Sequence, residues 1–183
     1  SIDYTYSDSR GNASDPNDAR NAVLGGALPE TYIAPLNWDQ AHTFNATLNY
    51  SQVRDWGFSM IANYFSGQPF TPAVNKNTRV TQNAFPTNSS NKPNLFNVDL
   101  RVYKDFEISP LLLTVFLRVF NLFDANNPIT VYTDSGDPYF TFAKLEAERI
   151  NPTLYNNTLN EFYTDPTYFS DPRRIELGFG LNF

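Results

Sequence analysis

The feature that most constrains this chain is a two-residue alternation of apolar and polar side chains, repeated in separate segments. In His42–Ser51 one parity holds Phe44, Ala46, Leu48 and Tyr50, and the other Thr43, Asn45, Thr47 and Asn49. Trp56–Tyr64 sets Trp56, Phe58, Met60, Ala62 and Tyr64 against Gly57, Ser59, Ile61 and Asn63. Phe96–Phe106 sets Phe96, Val98, Leu100 and Val102 against Asn97, Asp99, Arg101 and Tyr103. Leu111–Phe123 sets Leu113, Val115, Leu117 and Val119 against Thr114, Phe116, Arg118 and Phe120. At the end, Ile175, Leu177, Phe179, Leu181 and Phe183 oppose Arg174, Glu176, Gly178, Gly180 and Asn182. Ile2–Ser7 alternates as well, so the chain is expected to begin inside a strand, as part of something larger. A period of two puts successive side chains on opposite faces of a strand. The fold class expected is therefore all-β, with unlike sheet faces.

The connections narrow the choice of sheet. Gln52-Val53-Arg54-Asp55 and Glu107-Ile108-Ser109-Pro110 are tight turns, whereas Asp8–Trp38 (31 residues), Gly67–Pro93 (27) and Asp124–Pro172 (49) are long. Compact soluble domains seldom carry several such loops, but long extracellular loops alternating with short periplasmic turns are the rhythm of an up-and-down outer-membrane β-barrel. Strands of about 10 to 13 residues also reach across the hydrocarbon layer when tilted. Trp56, Phe58, Phe106 and Phe183 would then lie near the inner interface, where aromatic girdles collect. Six strands cannot close, since the smallest barrels have about eight. Either residues 1–183 are the C-terminal part of a larger barrel, or Ile129–Thr133 and Tyr139–Phe142 add a hairpin around Asp134-Ser135-Gly136-Asp137. Ala143–Ile150 reads as a short helix, and Asn151-Pro152, Asp165-Pro166 and Asp171-Pro172 punctuate loop. The larger barrel is the preferred expectation.

Composition removes other classes. Thirteen basic and 19 acidic residues leave a net charge of −6, which argues against a nucleic-acid surface. The longest apolar run, Leu111–Leu117, falls far short of the roughly 20 residues of a membrane-spanning helix. With no cysteine there is neither disulfide framework nor thiol chemistry. The single histidine, His42, lacks the partners of a common metal or nucleophile constellation, so no catalytic residue, metal ligand or cofactor is expected. Asp15/Asp18 and Asp134/Asp137 sit among turn-forming residues; calcium in such oxygen-rich loops is the functional alternative to a simple turn. Gly25-Gly26 is too isolated to cradle phosphate.

Asp99, Arg101, Arg118, Arg174 and Glu176 all lie on the parity opposite the apolar stripe and are the lumen-facing candidates. Such a ladder holds an inner plug, lines a solute path, or simply gives a charge-satisfied wall. The tyrosine-rich stretch Tyr155–Tyr168 either stacks on sugars and aromatic ligands or packs on itself.

The closing segment, from Pro172 to Phe183, resembles the final strand of outer-membrane barrels. It is similar to the signal read by the barrel-assembly machinery: Glu176, Gly178, Leu181 and the terminal aromatic Phe183. Four further stretches resemble the C-terminal barrel of TonB-dependent receptors, particularly the carboxypeptidase-regulatory-like subgroup. They are Gly11-Asn12-Ala13-Ser14-Asp15-Pro16-Asn17-Asp18-Ala19, the run from Leu36 to Asn45 (LNWDQAHTFN), Ser66-Gly67-Gln68-Pro69-Phe70-Thr71-Pro72, and Val119-Phe120-Asn121-Leu122-Phe123-Asp124. Ala41 stands where that family often has Arg, and Phe70 where Tyr is common. The resemblance implies a 22-stranded barrel in a Gram-negative outer membrane, with an N-terminal plug, and active nutrient uptake powered by the inner-membrane TonB complex. The partners it implies are outer-membrane lipid, the rest of the barrel and its plug, TonB, the assembly machinery and a surface lipoprotein. Two other readings stay open: a self-contained eight-stranded barrel with an adhesive or structural role, and a soluble β-sandwich that binds carbohydrate.

Overall fold

The structure is a computed structural model and describes residues 1–26, 28–29, 31–73, 85–150 and 158–182. In chain order the elements are β1 (Ile2–Tyr6), β2 (Arg10–Gly11), α1 (Asp18–Leu24), β3 (Ala34–Pro35), β4 (His42–Ser51), β5 (Trp56–Phe65), β6 (Pro69–Phe70), β7 (Ser90–Asn91), β8 (Leu95–Ile108), β9 (Leu111–Phe120), α2 (Phe142–Ile150), α3 (Leu159–Tyr163), a 3₁₀ turn (Pro166–Tyr168) and β10 (Arg174–Asn182). Six of the strands form one antiparallel sheet in the order β1-β4-β5-β8-β9-β10, which is their order along the chain. β1 and β10 are its two edges and do not pair with each other, so the sheet is open. The pairs β2–β3 and β6–β7 are two-residue ladders within the first and second long loops.

The register sorts the side chains cleanly. One face runs through Tyr4–Phe44–Tyr64–Phe96, then Ile2–Ala46–Ala62–Val98, then Leu48–Met60–Leu100–Val119–Ile175. It continues through Tyr50–Phe58–Val102–Leu117–Leu177 and Trp56–Lys104–Val115–Phe179. Aromatic rings thus crowd both ends, and aliphatic side chains fill the middle two rows. Cross-strand pairs of this kind stabilise a sheet by roughly 0.2–1 kcal/mol each. Among the described strand residues only His42 and Lys104 interrupt this apolar face, one near each end. The other face is predominantly polar, with rows such as Asn49–Ser59–Arg101–Arg118–Glu176 and Asp3–Asn45–Asn63–Asn97.

Among the described residues most large side chains of the apolar face stay exposed, Val98 and Val119 being buried there. Leu177 and Phe179 are each 76% exposed, and Ile61 alone among the exposed large apolar strand residues lies on the polar face. A fully buried Leu or Phe side chain stabilises by about 1.5–3 kcal/mol relative to water, so an aqueous setting forgoes that at many positions here. The strands are also staggered. A row starting mid-β4 at Ala46 passes Ala62 and Val98 and leaves the sheet just beyond Phe120, where the Leu122 N–H still bonds the Val98 carbonyl at 2.7 Å. That stagger, about five residues over three interstrand steps, corresponds to strands tilted by roughly 45°.

All three long loops leave one end of the sheet, and the two tight turns lie at the other. Most of the buried residues gather at the loop end, including Ala34, Asn88, Asn121, Asn127, Val131 and Thr141. Three strand and turn expectations change. The second turn shrinks to Ser109-Pro110, because β8 and β9 pair as far as Ile108–Leu111. β9 stops at Phe120 instead of Phe123, because Asn121 adopts φ +51° and turns the backbone out of the ladder. The side-chain amide of Asn127 then bonds both backbone groups of Phe96 at 2.8 Å, in place of a strand partner. The hairpin of Ile129–Thr133 and Tyr139–Phe142 does not form. Asp134 instead accepts from the Thr141 hydroxyl (2.6 Å) and the Phe142 N–H (2.9 Å) beside the start of α2, leaving those segments as turns.

Candidate functional site

The charged candidates converge on the polar face where β8, β9 and β10 adjoin. Arg101 and Arg118 are direct cross-strand partners, as are Arg118 and Glu176. Arg118 Nη1 lies 3.9 Å from Glu176 Oε2, and Arg174 Nε lies 3.2 Å from Glu176 Oε1, so Glu176 is shared by two guanidiniums. Both ion pairs are substantially solvent-exposed, the setting in which such pairs contribute about 0–1 kcal/mol. Asp99 behaves otherwise. Its Oδ1 accepts from the Asn121 backbone N–H and the Asn97 amide, each at 2.9 Å, at the loop end of the β8–β9 ladder. Among the described residues no ion pair joins Asp99 to an arginine.

Three aromatic rings missing from the sequence-based candidate set underlie these cations. Arg101 sits 5.8 Å from the Tyr103 ring centre and 5.6 Å from that of Phe116. Arg118 lies 4.9 Å above Phe116, and Arg174 4.4 Å above Phe120. The first two rings can lie across the sheet because their neighbours in register are glycines. A Cβ on Gly57 would come within 2.6 Å of the Tyr103 ring, and one on Gly178 within 2.4 Å of Phe116. Tyr103, Phe116 and Phe120 share the arginine parity, and Gly57 and Gly178 oppose Tyr103 and Phe116, so the signal was present as a register rather than a local motif. A cleft of about 290 Å³ on this part of the sheet is bordered by Ser59, Ile61, Asp99, Arg101, Arg118 and Phe120, with Leu100 and Val119 also lining it.

Gly178 therefore has a packing role in the sheet, and Leu181 projects from the apolar face. Phe183, the last residue of the suggested assembly signal, lies outside the described residues.

The loop end forms a linked cap. Asn88, only 4% exposed, donates to the Pro35 carbonyl (2.7 Å) and Asn37 Oδ1 (2.8 Å), joining the second long loop to the first. The Ala73 N–H donates to the Thr133 carbonyl at 2.9 Å and joins the second loop to the third. Gly67 leaves no room for any side chain, since a Cβ there would fall 1.6 Å from the Lys92 carbonyl oxygen. Asn121 bonds the Ala125 N–H and carbonyl and also donates to the Asp171 carbonyl. Within the tyrosine-rich stretch, Tyr168 packs on Tyr132 at 4.9 Å, and the Tyr132 hydroxyl donates to the Tyr163 carbonyl at 2.8 Å. Burial, then the neighbouring Tyr168, pushes the Tyr132 phenol above its ordinary pKa. These tyrosines pack on the protein; Tyr155 lies outside the described residues.

The loop carboxylates serve local turns. Asp18 Oδ2 accepts from the Ser14 and Asp15 N–H groups, Asp15 from Asn17, and Asp137 from Tyr139 and Phe140. No cluster of three or more metal-type side chains occurs among the described residues. His42 stands at the loop-end rim of the apolar face, its Nδ1 2.9 Å from the Tyr4 hydroxyl and its ring against Tyr4 and Tyr6. Lys104, at the opposite rim, pairs with Asp55 of the tight turn, so a long cation reaches from an apolar row to the edge. Comparison with protein-family models, with curated proteins and with solved structures gives no match.

Proposed function

We propose that this chain is the C-terminal wall of an outer-membrane TonB-dependent receptor, contributing six strands of a larger barrel of about 22. The observation that carries this reading is the banding of the apolar face: aromatic rows at both ends, aliphatic rows between them, and most of its large side chains left exposed among the described residues. Lipid rewards such a surface, and water does not. The roughly 45° strand tilt agrees with a spanning strand. The open edges agree with a wall completed by further strands, since unpaired backbone groups facing hydrocarbon cost several kcal/mol each.

In this reading the polar face lines the lumen and the linked loops form part of the extracellular mouth. The wall binds outer-membrane lipid on one side and a plug on the other. A TonB complex supplies the energy through the plug, the assembly machinery reads the closing strand, and a surface lipoprotein covers the mouth. The chain's own contribution is a shaped, hydrogen-bonded boundary rather than catalysis.

Fractionation tests the reading. Washed envelopes should retain the protein through high salt and urea and release it only into detergent, with tags in the first and third long loops reached from outside the cell. Release by salt alone, or tags reached only from the periplasm, would overturn it.

A further inference from the structure

We propose that Arg101 and Arg118 form a binding site for the carboxylate group of a small anionic solute on the polar face of the wall. The inference deepens the receptor reading and rests on it. The two arginines are directly opposed across β8 and β9, an arrangement of like charges that destabilises a sheet. Their neutralisation is incomplete. Glu176 lies 3.9 Å from Arg118 but is held more closely, at 3.2 Å, by Arg174. Among the described residues no carboxylate reaches ion-pair distance of Arg101, and Asp99 Oδ1 accepts from Asn97 and Asn121 instead.

What holds the two guanidiniums is aromatic rather than anionic. A ring face attracts a cation through its quadrupole without consuming the cation's N–H donors. Arg101 is flanked by Tyr103 and Phe116, Arg118 lies over Phe116, and the rings are seated over Gly57 and Gly178. The donors are thus positioned and largely unspent, and both arginines border a cleft of about 290 Å³. A carboxylate offers two coplanar oxygens that match a guanidinium fork, and one carboxylate bridging both arginines relieves their mutual repulsion.

The test uses the intact receptor in detergent micelles, with citrate as the probe and glucose as an uncharged control. Heat-modifiable gel migration first establishes that each sample is a folded barrel. Titration calorimetry should then give saturable citrate binding, weakened about tenfold or more by Arg101→Gln and by Arg118→Gln. Arg101→Lys should fall between wild type and Arg101→Gln, because it keeps the charge and loses the fork, while Arg10→Gln in the first loop should leave binding unchanged. A folded barrel that ignores citrate, or binds it equally in Arg101→Gln, overturns the site and leaves the barrel standing. Glucose binding that falls in the same variants also overturns it, since the site would then read hydroxyl groups. A protein that never folds as a barrel in lipid or detergent overturns the receptor reading itself.

Discussion

Replacing Leu117 by Arg separates a lipid-facing wall from a water-facing sheet. Leu117 lies two residues from the middle of β9, between Val102 and Leu177 in register, and is 39% exposed. At about 3.3 Å per residue and a tilt near 45°, the offset from mid-strand is only about 5 Å of depth. An arginine close to the bilayer midplane of a barrel costs about 2–4 kcal/mol, less some relief from snorkelling toward the rim. If this face met water instead, the same change would remove an exposed apolar side chain and cost well under about 1 kcal/mol. Arg118→Ala is the internal control. It removes an exposed pair with Glu176 at 3.9 Å, worth about 0–1 kcal/mol. Reversible urea unfolding of the intact protein in lipid vesicles, followed by tryptophan fluorescence, measures both. The expected ordering is a large loss for Leu117→Arg and a small one for Arg118→Ala. Equal tolerance, or a larger loss at Arg118, would refute the assigned faces.

Other outcomes follow from particular contacts. Gly178→Ala should lower stability by about 1–2 kcal/mol in the same unfolding assay, because the new methyl displaces the Phe116 ring. Most of that loss should vanish in a Phe116→Ala background, which a double-mutant cycle reads directly. Asn121→Ala should cost about 2–4 kcal/mol, through three lost hydrogen bonds and a positive φ that alanine tolerates poorly. Faster hydrogen exchange at the Ala125 amide would report it. The Thr167 hydroxyl and backbone N–H, bonded to Asp165, hold that carboxyl below its ordinary pKa. Its stabilisation of the Pro166–Tyr168 turn is therefore complete above the ordinary carboxylate range and is lost as pH falls through the depressed value. Amide exchange at Thr167, protected at neutral pH and accelerated in acid beyond its intrinsic pH dependence, checks the sign.

The sheet was largely legible because its information is local and periodic. Alternation identified all six strands, and a short turn or a long loop between neighbours fixed their order. The errors came where local pattern competes with a tertiary partner. Phe123 keeps the parity of β9, yet Asn121 and Asn127 end the ladder earlier by combining a left-handed turn with side-chain bonds to backbone. The segment from Ile129 to Phe142 has enough β-formers for a hairpin, but Asp134 spends its carboxylate on Thr141 and Phe142 and turns the chain toward α2. Asp99, Arg101, Arg118, Arg174 and Glu176 share one face of the sheet in register, while their pairing was only half legible. Register places Glu176 opposite Arg118, and no periodicity announces that Asp99 will be claimed by the Asn121 backbone. The ring layer beneath the arginines was invisible for the same reason, since a glycine gains meaning only when the residue across from it is known. Lys104 breaks an otherwise apolar parity and became intelligible only beside Asp55.

The most direct test of the central claim is a cysteine scan along β9, simplified by a chain with no cysteine of its own. Single cysteines from Leu112 to Val119, spin-labelled in the intact protein in vesicles, are compared for collision with oxygen, which concentrates in lipid, and with a water-soluble nickel chelate. The account predicts a period of two: Leu113, Val115, Leu117 and Val119 favour oxygen, whereas Leu112, Thr114, Phe116 and Arg118 favour the chelate or neither. Chelate access on both parities, or a preference that drifts along the strand without alternating, would contradict a membrane-spanning wall.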